Sequence, residues 1–308
     1  MTKAAVRMDA DTAIFFSRQL EYIMPKVYEF EYPELMAFRV LPINTNFSPG
    51  AEFITATGYQ SVGRARLINS YADDLPEAGL LGMQLTNPVV GIGTSYRYSY
   101  QEIRAARLAN LNLPMRLAEA ARRANDQMVN DLALLGSPAT GLYGLVNNPN
   151  INATPVPNDG TGASTLWTTK TGDQIIRDMN LIVNTIVAQS NNVERPNTLL
   201  LPQAQYSLIA STPRSQFSDT TILQYFLLNN PYIREVIPVP QLAGAGEGDV
   251  DIMIAYDRNP DKIFMAMPLM FVQHPPQERN LEFVIPCESR FGGTVVYYPL
   301  SVLIGEGI

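Results

Sequence analysis

The segment from Ser99 to Gly136 is punctuated for two consecutive helices, and the second is the element that most limits what this chain can fold into. Ser99-Tyr-Gln-Glu102 has the form of a capping box: the serine side chain accepts from the amide three residues on, and the glutamate returns the contact. That first helix is expected to run to about Leu111, where Asn112-Leu-Pro114 breaks it, since proline suits a helix's first turn. The second helix is expected from Pro114 to Leu135, ended by Gly136. At about 1.5 Å per residue it would span about 33 Å, long for a globular helix. Leu117, Ala121, Ala124, Met128, Leu132 and Leu135 form its expected apolar stripe, and Glu119 and Arg123 are expected to pair at i, i+4 on the exposed side.

Arginine concentrates along the same stretch. Arg97, Arg104, Arg107, Arg116, Arg122 and Arg123 face only Glu102 and Glu119. Such a strip can meet nucleic acid or a partner's carboxylates, or lie as a solvated helix face. A net charge of −7 argues against a dedicated nucleic-acid binder and favours ion pairs with neighbouring acidic groups. Lysine is confined to Lys3, Lys26, Lys170 and Lys262, so positive charge is carried by arginine, which suits fixed ion pairs and interfaces. Charged residues make up 17% of the chain, below the roughly 25% usual for soluble domains. Much of its surface should therefore be covered by something other than water, and extensive self-association would do that.

The chemistry of catalysis is thin. With His274 and Cys287 as the only histidine and cysteine, a His/Cys metal site is nearly excluded. A serine triad through His274 would need a presented nucleophile, and no G-x-S-x-G elbow exists. Gln273-His-Pro-Pro276 reads as a turn carrying a solvated histidine. Cys287, in the apolar run Phe283–Cys287, reads as an inert buried thiol. Gly244-Ala-Gly-Glu-Gly248 has the wrong spacing for a dinucleotide fingerprint and precedes a strand; it is a flexible turn. Asp73-Asp74, the one adjacent acidic pair, lacks the further carboxylates of a metal cage. No enzymatic activity, catalytic residue, cofactor or metal is expected. No apolar run approaches membrane-spanning length and no signal peptide opens the chain, so a cytoplasm-like compartment is expected.

Along the rest of the chain, Phe16, Leu20, Ile23 and Val27 suggest a helix capped by Asp9 or Asp11 and stopped near Pro25, within an arm too poor in apolar surface for its own core. Ala51–Gln60 and Arg64–Ile68 read as a β-hairpin turned at Ser61-Val-Gly63, with polar side chains on both faces. A lone hairpin is marginal in water and would be ordered by lying on something else. After the loop 148–162 comes an α/β region: helices 173–189, 203–210 and 221–228, with strands 197–201, 235–239 and 251–255. Strands at 263–272 and 281–285 flank the proline-rich turn, and 293–303 reads as one closing strand.

This order, together with several motifs, resembles the tailed-bacteriophage major capsid proteins, whose fold is shared with encapsulins. The motifs are Leu20-Glu-Tyr-Ile-Met-Pro25, Tyr100-Gln-Glu-Ile-Arg104, Gly141-Leu-Tyr-Gly-Leu-Val-Asn-Asn-Pro149, Gly292-Gly-Thr-Val-Val-Tyr-Tyr-Pro299 and Gly305-Glu-Gly-Ile308. The resemblance implies an α+β fold with an N-terminal arm (1–46), an extended-loop hairpin (47–92) and a peripheral domain with its spine helix (93–140). It further implies an α/β axial domain (141–260), a long hairpin of the peripheral domain (261–290) and a C-terminal axial strand (291–308). The implied function is self-assembly, as hexamers and pentamers, into an icosahedral head around double-stranded DNA, in a virion built in the host cytoplasm. An encapsulin-type cargo compartment is the alternative.

Phe53, Tyr59, Arg64, Arg66, Arg104, Arg107, Arg122 and Arg123 are the candidate inter-subunit contacts. The implied partners are the chain itself, with scaffolding, portal and cement proteins beside it, and DNA held without sequence-specific binding; no membrane is implied. Some relatives crosslink an extended-loop lysine to an asparagine of another subunit. No lysine lies between Lys26 and Lys170, so a noncovalent shell is expected. The arm begins almost at Met1, which leaves no room for a long cleaved scaffolding segment and points to a separate scaffolding protein.

Overall fold

The computed structural model describes residues 33–67, 76–109, 111–215 and 219–308. The expected arm helix and the Asp73-Asp74 pair lie outside the described residues. In chain order the elements are α1 (Met36–Val40), β1 (Ile43–Asn44), β2 (Phe53–Val62), β3 (Gly79–Pro88), β4 (Val90–Ser99), α2 (Tyr100–Leu108) and α3 (Leu113–Leu134). Then come β5 (Asn152–Pro155), α4 (Gly172–Gln189), β6 (Thr198–Leu201), α5 (Gln203–Ser211), α6 (Ile222–Asn229), β7 (Glu235–Pro238) and β8 (Ile252–Tyr256). The last are β9 (Ile263–Ala266), β10 (Leu269–Gln273), β11 (Gln277–Arg279), β12 (Glu282–Phe291), β13 (Thr294–Val296) and β14 (Val302–Glu306).

A five-stranded sheet, ordered β5-β14-β8-β6-β7, is the best-buried part. Thr198-Leu-Leu-Leu201 and Ile252-Met-Ile-Ala-Tyr256 are buried along their whole length, as strands covered on both faces must be. Ile252, Ile254 and Tyr256 belong to one core, with Val129, Leu134 and Leu142. Met253 and Ala255 point into the other, against Met179, Ile182 and Ile186 of α4 and Phe226 of α6. Tyr256 donates its hydroxyl to the Val40 carbonyl at 2.7 Å, tying α1 to the sheet. Burial holds that phenol well above its ordinary pKa. The final strand β14 sits inside the sheet, parallel to β5 and antiparallel to β8.

The expected closing strand over 293–303 is two strands in two sheets. Pro299 removes an amide and begins a single 3₁₀ turn between β13 and β14. Strand 263–272 is likewise divided: Met267-Pro268 separates β9, which pairs with β1 and β13, from β10, which pairs with β12.

β12 is the long strand of the third sheet, with β10 and β11 along one edge and β4 along all ten residues of the other. α3 packs over β4 and β12. It starts and stops within a residue of expectation, but its buried face is Ala121, Asn125, Val129, Asn130 and Leu132–Leu134, while Met128 and Leu135 are exposed. The expected stripe holds only at Ala121 and Leu132. Two asparagines take the missing places because each has a distant partner: Asn130 accepts from the Ala37 amide at 2.8 Å, and Asn125 accepts from the Ser289 hydroxyl at 2.6 Å. The glycine-rich segment after α3 caps it, Leu145 and Val146 donating to the Ala133 and Leu134 carbonyls. A Cβ at Gly144 would stand 2.4 Å from the Gly136 nitrogen, so this close return needs glycine.

The hairpin is real, but its second strand is not Arg64–Ile68. β2 pairs antiparallel with β3 from Phe53↔Pro88 to Val62↔Gly79, and residues 63–67 have left the ladder. Gly79 and Gly82 dilute the strand signal of β3, which hid it from a reading based on β-branched and aromatic runs.

Candidate assembly surfaces

The hairpin's two faces follow from its register. Phe53, Thr55, Thr57 and Tyr59 share one face with Gln84 and Thr86, and the Thr55 and Thr86 hydroxyls meet at 3.1 Å. Phe53 is 62% exposed and Tyr59 75%. Leu80 and Leu81 on β3 are exposed as well. The other face is buried only at its base, where Ile54 packs with Phe264, Ala266 and Val295. Past the strands, Arg64, Arg66 and Leu67 are also exposed. Such a ladder, with apolar side chains in water, is marginal alone and suited to lie on another surface.

The second surface is the elbow from α2 into α3. Ser99 caps α2 as expected: its amide donates to Glu102 Oε2 at 2.8 Å, and its hydroxyl accepts from the Glu102 amide. The amide contact and the Ser99 hydroxyl, which also donates to Glu102 Oε2 at 3.0 Å, hold the Glu102 carboxyl below its ordinary pKa, with Arg97 adding to them. No residue of α2 is buried, and Leu108 is 92% exposed. Ile103, Arg107, Leu111 and Pro114 border a shallow depression at the elbow. Arg104 and Arg107 are exposed on α2. Arg122, on α3, stands 3.7 Å from Asp126, and Arg123 beside it is half-buried. Phe53 and Tyr59 thus share one hairpin face, while the arginine candidates divide among the hairpin's far end (Arg64, Arg66), α2 (Arg104, Arg107) and the middle of α3 (Arg122, Arg123). The expectation missed Leu80, Leu81 and Leu108, whose exposure is a tertiary property with no signal in the local pattern.

His274 follows β10, its Nε2 3.0 Å from Glu288 Oε1, and half of each side chain faces solvent. Ser95 borders the same open depression. However, the His274 amide bonds Pro286 from one side of β12 while Ser95 pairs with Pro286 from the other. Two strand spacings, about 10 Å, separate the two backbones. Cys287 is buried under Ala121 of α3, and burial pushes its thiol pKa up, the reverse of what a nucleophile needs. Among the described residues no cluster of histidine, cysteine and carboxylates could hold a metal ion. No described helix is long and apolar enough to cross a membrane.

A family model described as "Major capsid protein" matches residues 63–308. In structure the chain is similar to the capsid of Myoviridae phage XM1, with TM-score 0.82 and 19% identity, over 97% of this chain and 100% of that one. It is similar to the capsid of a native GTA particle at TM-score 0.65 and 8% identity, covering 97% and 99% of the two chains. It is also similar to a virus-like particle from Pyrococcus furiosus at TM-score 0.56 and 9% identity, covering 87% and 91%. No curated protein matches the sequence.

Proposed function

The chain belongs to the major capsid protein family and carries the fold of tailed-phage capsid subunits, and from that premise we propose that it self-assembles as hexamers and pentamers into an icosahedral head around double-stranded DNA. The observation that carries this reading is the hairpin. It is a two-stranded ladder with Phe53, Tyr59, Leu80 and Leu81 in water, rooted in the rest of the chain through Ile54. A second copy of the chain is the surface on which it would lie.

In this reading 1–46 is the arm, 47–92 the extended loop, 93–140 the peripheral domain with α3 as its spine, and 141–260 the axial domain. Residues 261–290 then form the peripheral hairpin, supported by the β10–β12 pairing, and 291–308 return to the axial domain, supported by the place of β14 inside the five-stranded sheet. Phe53, Tyr59, Arg64, Arg66, Arg104, Arg107, Arg122 and Arg123 are the proposed inter-subunit contacts, the arginines pairing with acidic groups of neighbouring copies. Scaffolding, portal and cement proteins would join the shell, and the packaged DNA would be held without sequence-specific binding.

The shell is proposed to be noncovalent. The first lysine after Lys26 is Lys170, and its ammonium is fully buried 2.6 Å from Asp178, out of reach of another subunit. Mature particles should run as a single subunit band on a denaturing gel; a ladder of covalent multimers would sink that proposal. Electron microscopy of the native assembly tests the function itself. Closed heads with layered DNA density are expected, whereas closed particles holding protein cargo would favour the compartment reading, and a chain that stays monomeric would overturn both.

A further inference from the structure

At the root of the hairpin, Ile54 and Asn87 form a cross-strand pair on the same face, and both are buried. Ile54 is the anchor: it enters a socket of Phe264, Ala266 and Val295 floored by Gly292. A Cβ placed on Gly292 would stand 2.6 Å from Ile54 Cδ1, so the socket is filled to contact. Asn87 is the anomaly. It is 2% exposed, and neither its side-chain oxygen nor its nitrogen has a hydrogen-bond partner among the described residues. Beyond this root the hairpin overhangs a crevice of about 560 Å³, with Ala56, Gly58 and Leu85 above and Tyr297, Tyr298 and Pro299 below. The hairpin is thus held at one end and has room beneath it.

We infer that Ile54 and Asn87 form a pivot with a built-in release catch: Ile54 seats the hairpin in the Gly292 socket, and the unpaired Asn87 amide biases it to lift out. An amide buried without partners is penalised relative to one in water, and a lift that hydrates Asn87 removes that penalty while giving up the Ile54 contacts. The two poses then lie close in free energy, and a modest push from a neighbouring surface selects between them. The inference deepens the shell reading, because one chain filling non-identical positions needs its hairpin at more than one angle. The catch is nevertheless a property of the single subunit and is tested there.

Hydrogen exchange on the unassembled full-length subunit reads the pivot directly. Asn87→Leu removes the polar group and keeps the volume; exchange of the amides in β2 and β3 next to the root should slow about tenfold. Gly292→Ala should quicken the same amides about tenfold, because the displaced atom is the far end of Ile54 and the fold can give there. Protection of β8 and β14 should stay unchanged in both, which separates a pivot from general loosening. Equal or faster exchange in Asn87→Leu would overturn the inference, since Asn87 would then be satisfied where it lies, for instance by a bound water. Loss of β8 and β14 protection in Gly292→Ala, with no selective effect at the root, would also overturn it. Either result leaves the shell reading standing, because micrographs of the assembly decide that separately.

Discussion

The five-stranded sheet and the β2–β3 hairpin are made from the same kind of strand, and they differ in who covers them. Along β8 every side chain is buried, alternate residues entering cores on opposite faces. Each large aliphatic chain placed there contributes about 1.5–3 kcal/mol relative to water. Along the hairpin, strands twice as long bury Ile54 and Asn87 at one end and leave Phe53, Tyr59, Leu80 and Leu81 exposed. The sheet is finished by its own chain. The hairpin has a ladder but no second layer, so its stability has to be completed by something outside the subunit. Damage to the sheet should therefore appear in the subunit, and damage to the hairpin's exposed face in the assembly.

The largest effect is expected in the helix layer on the sheet. Lys170 is fully buried, its ammonium donating to Asp178 at 2.6 Å and to the Pro157 carbonyl at 2.8 Å, with Asp159 at 3.2 Å. Lys170→Met leaves the buried Asp178 charge without its main partner, and should destabilise the subunit by about 4 kcal/mol in urea denaturation. Lys170→Met with Asp178→Leu should recover most of that loss, because an apolar pair of similar volume replaces two desolvated charges. A single variant as stable as the parent would mean that the pair is not load-carrying and would weaken the contrast from the sheet's side.

The opposite half of the comparison is Phe53→Ser with Tyr59→Ser. Both side chains stand in water on one hairpin face, so subunit stability should move by no more than about 0.5 kcal/mol. Assembly, followed by light scattering against subunit concentration, should need at least about tenfold more protein, since exposed aromatics are the residues that anchor interfaces. A variant that melts early yet assembles normally would reverse the comparison.

The same division explains what could be read from the residues. The sheet and its helices announce themselves because their apolar spacing is set by their own core: α4, α5, α6, β6, β7 and β8 lie within about two residues of expectation, ordinary scatter at element ends. The bounds of α3 are legible but its buried face is not, since Asn125 and Asn130 occupy buried positions through bonds to Ser289 and Ala37, residues far away in sequence. β4 does carry a signal, since Val90, Ile92, Thr94, Tyr96 and Tyr98 alternate with Gly91, Gly93, Ser95, Arg97 and Ser99 in a period of two, and its glycines dilute it. The partner of β2 is not legible in local pattern, because among the described residues of the hairpin only Ile54 and Asn87 are buried, too few to impose one. For the candidate contacts, charge and aromatic character were legible. Which of them lack cover within the subunit was not, because cover is supplied by distant parts of the chain.

The smallest expected effect lies between these extremes, at α2, which is ordered like the body yet buries no residue. Its start depends on Glu102, whose carboxylate accepts from the Ser99 amide at 2.8 Å and the Ser99 hydroxyl at 3.0 Å. The amide contact, then the hydroxyl contact, with Arg97 adding to them, hold the carboxyl below its ordinary value. A carboxyl whose pKa is lower folded than unfolded stabilises fully above the unfolded value of about 4.3, and that contribution disappears as pH falls through the lowered folded value. Acid should therefore fray the first turn of α2 while β8 and β14 keep their protection, as hydrogen exchange of the 100–108 amides would show. Glu102→Gln keeps an acceptor for the Ser99 amide but has nothing to titrate, so the protection of its α2 amides, relative to the unstructured rate at each pH, should stay constant across that range. If the parent's α2 amides are equally indifferent to acid, α2 is held by contacts other than its cap, and it belongs with the self-sufficient body rather than with the hairpin.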